Sequence, residues 1–400
     1  MSYIERSIAT KIAETEKRVP LILLSGPIGS GKTSLVKSMF GDRFNYLSLN
    51  SDSLSSIAIQ HPESFLEMNR GKTIIDDIDR APEIIPYIGR MVQACPEMNR
   101  LILISSRDIF PARAFMPMNQ YLLDCLSLFP LTIPELSGLE GGALPWEKGR
   151  RKYNPFMNGP FLWQNAFRGF YPAIYSEEEP DIDEWHRSNL ERIIDQEIRF
   201  RKKKVPPRGI MKLLSMLAER IGNTLNFSEM ARELGITLHI LKMWVSLLEE
   251  TYQIIILPPL LSGSRKPIIK SPKAYFTDTG TLCHILGLHS AAEAERGRYS
   301  KRIFENMVIS EIYKRLLSGG TIPEVYFWRK ATGMQVSLII KHDSIMTPLE
   351  ISMVPDMDDK GIRFFKKEFG PKTDTGFIVN PGKYNIPLSN GIEALPFSRL

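Results

Sequence analysis

The stretch Gly26-Pro27-Ile28-Gly29-Ser30-Gly31-Lys32-Thr33 fits the pattern GxxxxGK[ST] in a chain of 400 residues. It follows the apolar run VPLILLSG (19–26) and precedes SLVKSMFG (34–41), which has a helical pattern. Glycines allow backbone N–H groups to turn inward around a phosphate, and the N-terminus of the next helix adds its positive end. Lys32 supplies a charge for the β- and γ-phosphates, and Thr33 supplies a hydroxyl for Mg²⁺. We therefore predict an ATP and Mg²⁺ site over residues 26–34, which include Ser34.

Polar residues at the ends of two later apolar runs extend this site. KTIIDDID (72–79) places Asp76 where a carboxylate would hold Mg²⁺ together with Thr33, and Asp77 where a base would activate the attacking water. RLILISS (100–106) ends in Ser105 and Ser106, which are placed to contact the γ-phosphate or the water, although serines are common at strand ends. The predicted catalytic residues are therefore Asp77, Ser105 and Ser106, and the predicted metal ligands are Thr33 and Asp76.

Apolar strands that alternate with helices surround the loop. The strands are predicted at 19–26, 45–50, 72–79, 100–106 and 121–132, with helices over 1–18 and 80–95. This alternation predicts an α/β fold with a parallel sheet covered by helices on both faces.

Composition restricts the class of protein. Apolar residues make up 43% and charged residues 24%, which are globular values, and 400 residues suggest two to four domains. Three cysteines without paired spacing suit a reducing compartment, and neither they nor the six histidines have metal-ligand spacing. The charged N-terminus lacks the apolar core of a signal peptide, and no apolar run near it approaches the ~20 residues that span a bilayer. We therefore expect a cytoplasmic protein with no membrane association.

The rest of the chain divides into three parts. Residues 137–160 are rich in Gly, Pro and charge and predict a boundary, and residues 181–204 predict one long amphipathic helix. Residues 210–276 predict three helices and a hairpin. Residues 295–400 predict a helix over 301–317 and four strands. The net charge of +6 permits an acidic partner, and its clear clusters, EKGRRK (147–152) and RFRKKK (199–204), are either DNA contacts or solvated surface.

A helix-turn-helix pattern lies within residues 210–276. FSEMAREL (227–234), the turn 235–237 and a second helix over 238–252 would be followed by a wing that carries Arg265, Lys266 and Lys270. A reading helix needs an exposed polar face, and this helix offers only Thr237, His239 and Lys242 on an otherwise apolar surface. Two interpretations stay open: DNA binding, or packing against a neighbouring domain, which the apolar surface favours.

The motif order GPxxxGKTSL, TIIDDIDRAPEIIPYI, LILISS and FPLTIPEL, followed by RGFYPAIY (168–175) and FENMVISEI (304–312), resembles the predicted AAA-like ATPases of bacteria and archaea. The resemblance implies a P-loop domain (1–136), a helical segment (137–205), a winged helix-turn-helix (206–280) and a C-terminal α/β domain (281–400). The last of these would resemble PD-(D/E)XK nucleases, which have the restriction-endonuclease fold.

The chain departs from that family in its catalytic residues. Members typically have Asp-Glu where this chain has Asp76-Asp77, and a Gly-Arg pair where it has Tyr121-Leu122. Arg107 or Arg113 could replace the missing arginine. In the nuclease-like part the family pattern places acids at Glu305 and Glu350, whereas the remaining acid and the lysine are Ser337 and Ser352.

These residues predict slow ATP hydrolysis that moves the helical and winged-helix parts. The alternative is a nucleotide-dependent switch, or a DNA- or protein-binding module, without meaningful turnover. A protein partner or a second copy of the chain is an open expectation, and DNA or RNA cleavage is the least favoured activity.

Overall fold

The fold is described from a computed structural model of the chain. The structure describes residues 4–97, 100–108, 121–138, 159–175, 180–200 (backbone alone from 197), 206–261, 271–320, 323–330, 332–353 and 358–400, and the single positions 144, 146, 147, 154 and 157.

Five runs of consecutive apolar residues form a parallel sheet, because such strands bury both faces. The strands are β1 (Leu21–Ser25), β2 (Asn45–Ser48), β3 (Lys72–Asp76), β4 (Arg100–Ser105) and β5 (Leu123–Ser127). Their order in the sheet is β2-β3-β4-β1-β5, and every pairing is parallel. The helices of this part are α1 (Ala9–Arg18), α2 (Lys32–Phe40), α3 (Asp52–Gln60), α4 (Pro62–Met68), α5 (Ile85–Ala94) and α6 (Ile133–Leu136). The predicted α/β class with a parallel sheet is confirmed.

The register of this sheet positions the site. Ser25 lies beside Ser105 of β4 and Ser127 of β5, so the carboxyl ends of these strands lie at one edge. The loop after β1 and the carboxylates at the end of β3 therefore meet at that edge. In open α/β sheets this edge is where ligands bind.

In the described residues, the middle part begins with five α-helices and contains one hairpin. Its elements are α7 (Pro160–Arg168), α8 (Ile182–Phe200), α9 (Pro207–Glu219), α10 (Phe227–Leu234), α11 (Leu238–Glu250), β6 (Ile254–Leu257), β7 (Lys273–Phe276), α12 (Thr279–Ile285) and α13 (Ala291–Arg296). β6 and β7 pair antiparallel, from Ile254 opposite Phe276 to Leu257 opposite Lys273. The element order is that of the predicted winged helix, whose identification stays a prediction.

The C-terminal part is a mixed sheet with helices. Its elements are α14 (Ser300–Ser318), β8 (Val325–Arg329), β9 (Gln335–His342), β10 (Ile345–Ile351), α15 (Lys360–Phe369), β11 (Gly376–Asn380), β12 (Ile386–Pro387) and β13 (Ile392–Pro396). The order is β12-β13-β11-β10-β9-β8, with β10, β11 and β13 parallel to one another. One apolar cluster runs from the middle part into this sheet, so the two parts share a core.

Several predicted boundaries are wrong. The helix predicted over 80–95 is two 3₁₀ turns, Ile78–Arg80 and Pro82–Ile84, followed by α5, because Pro82 and Pro86 lack the N–H that a continuous helix needs. The strand predicted over 121–132 ends at Ser127. The sequence analysis missed α15 and β13. β13 is a short strand that depends on pairing with β11, from which β12 separates it along the chain.

No helix in the described ranges combines the length and the apolar character needed to cross a membrane.

Candidate nucleotide site

The loop between β1 and α2 has the backbone conformation that its glycines predict. Gly31 has φ 93° and directly precedes Lys32, the first residue of α2. At Gly26, with φ 149°, a Cβ atom would lie 2.0 Å from the carbonyl oxygen of Leu128, so a side chain cannot fit. The loop therefore curls tightly into the N-terminus of a helix, which is the geometry of an anion site.

Lys32 lies inside this loop. Its Nζ donates hydrogen bonds to the carbonyl oxygens of Gly26 at 2.8 Å and Pro27 at 2.9 Å. Burial lowers the pKa of Lys32 to about 8, although the carboxylates of Asp79, Asp76 and Asp77 act in the opposite direction. The ammonium is thus held in the hollow that a phosphate chain would enter.

Thr33 and Asp76 lie together, as predicted for Mg²⁺ ligands. Thr33 Oγ1 donates to Asp76 Oδ2 at 2.6 Å, and the hydroxyl of Tyr46 donates to the same oxygen at 2.8 Å. The ammonium of Lys37 lies 3.8 Å from the centre of the Tyr46 ring. A hydroxyl and a carboxylate are the hard oxygen ligands that Mg²⁺ prefers, so these residues fit the ion. The sequence analysis missed Tyr46, which only the pairing of β2 with β3 brings to the site.

Asp77, the predicted base, adopts a left-handed backbone conformation with φ 57°. Its Oδ2 accepts a hydrogen bond from Ser48 Oγ at 3.1 Å, and its N–H donates to Asp76 Oδ1 at 2.9 Å. Burial, followed by the charges of Asp76 and Asp79, raises the pKa of Asp77. A non-glycine residue in this conformation is uncommon, and such residues cluster at functional sites.

Ser105 and Ser106 are directed to Asp79. Ser105 Oγ lies 3.2 Å from Asp79 Oδ1 and 2.9 Å from the carbonyl oxygen of Arg107, and the N–H of Ser106 donates to Asp79 Oδ1 at 3.1 Å. Ser105 is buried, so its hydroxyl is engaged by partners inside the protein. The catalytic roles predicted for both serines stay predictions.

The two arginines considered as replacements for the missing family arginine differ. Arg107 is buried, and its guanidinium lies 3.8 Å from Glu250 Oε2 at the end of α11. The N–H of Asp108 donates to the carbonyl oxygen of Glu250 at 2.7 Å. The segment after β4 is thus joined to the C-terminal end of α11. Arg113 lies outside the described residues.

Three side chains from the middle part cover the apex of the loop, and sequence reasoning missed all of them. From the position that a Cβ atom would take on Gly29, Arg192 Nη2 lies at 3.4 Å, Tyr171 Cδ1 at 3.5 Å and Asn189 Oδ1 at 3.6 Å. Arg192 is exposed and donates to Asn189 Oδ1 at 2.8 Å, whereas Tyr171 and Asn189 are buried. The amphipathic pattern of α8 predicted a packed helix but not which element it contacts.

α11, the second helix of the predicted helix-turn-helix, buries its apolar side within the chain. Thr237 caps α11 by accepting a hydrogen bond from the N–H of Ile240 at 3.3 Å, and His239 and Lys242 are exposed. The apolar side of α11 lies in the core of the middle part, through Leu241, Trp244, Val245, Leu247 and Leu248. Arg265, Lys266 and Lys270 lie outside the described residues, as do nearly all side chains of the two basic clusters.

The C-terminal part brings the predicted nuclease-like positions together. The N–H and hydroxyl of Ser337 donate to the two oxygens of Glu350 at 3.0 and 2.9 Å. Glu305 accepts from the hydroxyl of Tyr275 at 2.7 Å and lies 3.7 Å from Nζ of Lys273. The sequence analysis missed Lys273, which comes from β7 of the hairpin. Each carboxylate is thus engaged by groups of the chain itself, which favours a structural junction between hairpin and sheet.

Stability should fall with rising pH because of Glu350. Burial raises the pKa of this carboxyl to about 7, against the opposing Ser337 hydrogen bonds. The unfolded chain has an ordinary value of about 4.3, so the folded protein binds the extra proton between these limits and stability is lost as pH rises through them. Glu350→Gln should reduce the loss of unfolding free energy between pH 5 and pH 8 by roughly 2–3 kcal/mol at most. Its Tm should therefore decline less steeply over this pH range.

Calorimetry across this pH range checks the Glu350 prediction. Glu14→Gln, which changes an exposed carboxylate on α1, serves as the matched control and should keep the wild-type slope. An unchanged slope in Glu350→Gln would show that this carboxyl titrates normally in the folded protein.

Within the described residues, no group of three or more His, Cys, Asp or Glu side chains is arranged to hold a metal ion. The proposed Mg²⁺ ligands are of another kind, since Mg²⁺ commonly binds through one protein carboxylate and the phosphates of a nucleotide.

Three family models match successive parts of the chain. Residues 18–137 match an AAA domain, residues 160–292 match a domain of unknown function (DUF8612), and residues 300–400 match another domain of unknown function (DUF4143). Uncharacterized proteins of Mycobacterium tuberculosis and Mycobacterium bovis are each 21% identical over 404 aligned residues, covering 99% of this chain and 84% of theirs.

Two solved structures show weak similarity. The Walker-type ATPase of Pyrococcus abyssi has a TM-score of 0.43 at 14% identity, covering 71% of this chain and 96% of that one. A signal transduction ATPase with a tetratricopeptide repeat sensor from Pyrococcus horikoshii has a TM-score of 0.27 at 13% identity, covering 77% and 45%. These scores are too low to bear on function. The family match over residues 18–137, together with the geometry of the phosphate loop, supports an ATP-binding domain of the AAA type.

Proposed function

We propose that the protein binds ATP with Mg²⁺ at the loop of residues 26–34 and hydrolyses the nucleotide slowly. The observation that carries this proposal is the arrangement of Lys32, Thr33 and Asp76. A buried ammonium inside the loop stands beside a hydroxyl and a carboxylate 2.6 Å apart. These are the groups that bind phosphate charge and Mg²⁺ in P-loop proteins.

Each residue has a distinct role in this proposal. The N–H groups of the loop and the ammonium of Lys32 bind the β- and γ-phosphates. Thr33 and Asp76 hold Mg²⁺, which would neutralise part of the phosphate charge. Asp77 accepts the proton of the attacking water. Arg192, at the apex of the loop, is an exposed cation whose position suits contact with the phosphates.

Slow turnover follows from the side chains around Asp77. The Asp side chain is one methylene shorter than Glu, and its carboxylate is engaged by Ser48. A base must reach its water within about 3 Å, so a short and restrained carboxylate is a poor base. The guanidinium of Arg107 lies 3.8 Å from Glu250 Oε2 of α11.

A nucleotide-dependent switch is the second candidate, and the covered apex of the loop favours it. Tyr171, Asn189 and Arg192 lie within 3.6 Å of the position that a Cβ atom would take on Gly29, so phosphate that enters the loop changes the surroundings of α8. In this second candidate function, the free energy of nucleotide binding repositions the middle part, which then binds DNA, a protein partner or a second copy of the chain. Cleavage of nucleic acid stays the least favoured activity, since Ser337 and Ser352 bring no charge.

Removal of Mg²⁺ tests the site. ATP affinity measured by calorimetry should fall about tenfold or more when the metal is chelated, because the phosphates then lose their main counter-charge. Asp76→Asn should bind ATP with little dependence on Mg²⁺, while Asp52→Asn, a change at a fully exposed acid of α3, should behave as wild type. Phosphate release under the same conditions separates the two candidates. ATP binding that does not respond to Mg²⁺ in the wild type would contradict the assignment of Thr33 and Asp76.

A further inference from the structure

Arg6 holds the phosphate loop from the side of the N-terminal segment. Its Nη1 donates to the carbonyl oxygen of Ser30 at 2.6 Å, and its Nη2 donates to the carbonyl oxygen of Phe129 at 2.6 Å. Nε of the same guanidinium lies 3.3 Å from Glu135 Oε1, and both side chains are at most 5% exposed. A buried arginine stays charged, so this pairing with Glu135 makes its burial tolerable.

The contact with Ser30 orients the loop. The peptide that joins Ser30 to Gly31 is planar and trans, so its C=O and N–H point in opposite directions. Because Arg6 holds the C=O of Ser30, the N–H of Gly31 is held pointing away from the guanidinium. The φ of 93° at Gly31 belongs to the same turn. Arg6 thus pre-organises one of the N–H groups that would bind phosphate, and such pre-organisation raises affinity.

The contacts of Arg6 with Phe129 and Glu135 connect the phosphate loop to a segment that the C-terminal part also holds. Residues 129–135, here termed the bridging segment, run from the end of β5 into α6. Glu135 Oε2 accepts from the N–H of Thr132 at 2.8 Å, and Oε1 accepts from the N–H of Ser7 at 2.7 Å. Arg6 and Glu135 therefore fix the bridging segment to the N-terminal segment and to the phosphate loop at once.

Two side chains of α14 also hold the bridging segment. Glu311 Oε1 accepts from the N–H of Ile133 at 3.0 Å, and Nζ of Lys314 donates to the carbonyl oxygen of Leu131 at 2.7 Å. Glu311 and Lys314 form an ion pair at 3.2 Å, and both side chains are almost fully buried. A buried pair of this kind has few alternative arrangements, so a shift of the segment must disturb it.

We propose that Arg6 is a positioning residue that couples the phosphate loop to α14 through the bridging segment. Nucleotide affinity then depends on the Glu311–Lys314 pair, although neither side chain belongs to the loop. The inference rests on the proposed nucleotide site and adds its regulation: the C-terminal part sets ATP affinity. By thermodynamic linkage, bound nucleotide alters the stability of the α14 contact to the same extent.

A double-mutant cycle on ATP affinity tests the coupling. Dissociation constants for ATP with Mg²⁺ are measured by calorimetry for the wild type, Arg6→Gln, Glu311→Gln and the double variant. Arg6→Gln should weaken binding about tenfold, the size expected for loss of a hydrogen bond from a charged donor. Glu311→Gln should weaken it about fivefold, and the double variant should lose less than the product of the two, because the residues act through one connection.

Arg18→Gln is the matched control. Arg18 is an exposed arginine at the end of α1 that pairs with Asp124 of β5. When Arg18→Gln is combined with Glu311→Gln, the loss of ATP affinity should equal the product of the losses in the two single variants. If a glutamine variant fails to fold, the cycle is repeated with Arg6→Lys and Glu311→Asp, which keep the charges and alter only their reach.

The outcomes separate this inference from the proposed function. If the wild type binds no ATP, the nucleotide site fails and the coupling fails with it. If the wild type binds ATP and Lys32→Ala does not, but Glu311→Gln binds as the wild type does or the two losses multiply, the coupling alone is overturned.

Discussion

Lys32→Ala should abolish measurable ATP binding, with a loss of affinity of at least about 100-fold. The lysine ammonium is the cation held inside the loop, and its removal leaves several phosphate charges facing neutral backbone groups. The change also releases the carbonyl oxygens of Gly26 and Pro27, which Nζ holds. Loop geometry and charge are therefore lost in a single substitution.

Titration calorimetry with ATP and Mg²⁺ measures this effect. Lys17→Ala removes an exposed lysine from α1 and should leave the affinity unchanged. The Tm without nucleotide shows whether Lys32→Ala remains folded. A folded Lys32→Ala protein with wild-type affinity would refute the assignment of residues 26–34 as a nucleotide site.

Substitutions at Asp77 should change the rate of hydrolysis in opposite directions. Asp77→Asn cannot accept a proton and should reduce phosphate release about 100-fold or more, which is the usual contribution of a general base. Asp77→Glu extends the carboxylate by one methylene and should raise the rate severalfold, up to about tenfold. ATP affinity should change little in either variant, because Asp76 and Thr33 hold the metal.

Single-turnover release of phosphate, with ATP in excess of its dissociation constant, separates rate from affinity. Ser48→Ala is an informative companion, since it frees the Asp77 carboxylate from the hydroxyl that engages it at 3.1 Å. Equal rates in the Asn, Asp and Glu proteins would rule out Asp77 as the base. The switch without turnover would then be the better description of the protein.

The phosphate loop and the parallel sheet could be predicted from sequence because their determinants are local. Glycines at 26, 29 and 31 permit backbone angles that other residues avoid, and consecutive apolar residues such as those of β1 demand burial on both faces. The spacing of Lys32, Thr33 and Asp76 followed from the same local rules, since the carboxyl ends of parallel strands share one edge.

Contacts between distant segments could not be predicted in this way. Tyr46, Arg192 and Arg6 reach the site from another strand, from α8 and from the N-terminal segment, and nothing in their neighbours along the chain marks them. The direction of Ser105 toward Asp79 is likewise a matter of strand pairing and packing.

The sequence by itself determined that this chain has a phosphate loop followed by the acidic pair Asp76-Asp77. That Asp77, Ser337 and Ser352 depart from the patterns of the families that the chain resembles stays a prediction. The tertiary structure decided what surrounds those residues: Ser48 on Asp77, Lys273 beside Glu305, and Arg6 between the loop and the bridging segment. The physical reason is the distance along the chain over which each kind of interaction acts. Backbone conformation and apolar periodicity act over a few residues, whereas buried charges are satisfied by whichever partner the completed fold brings near them.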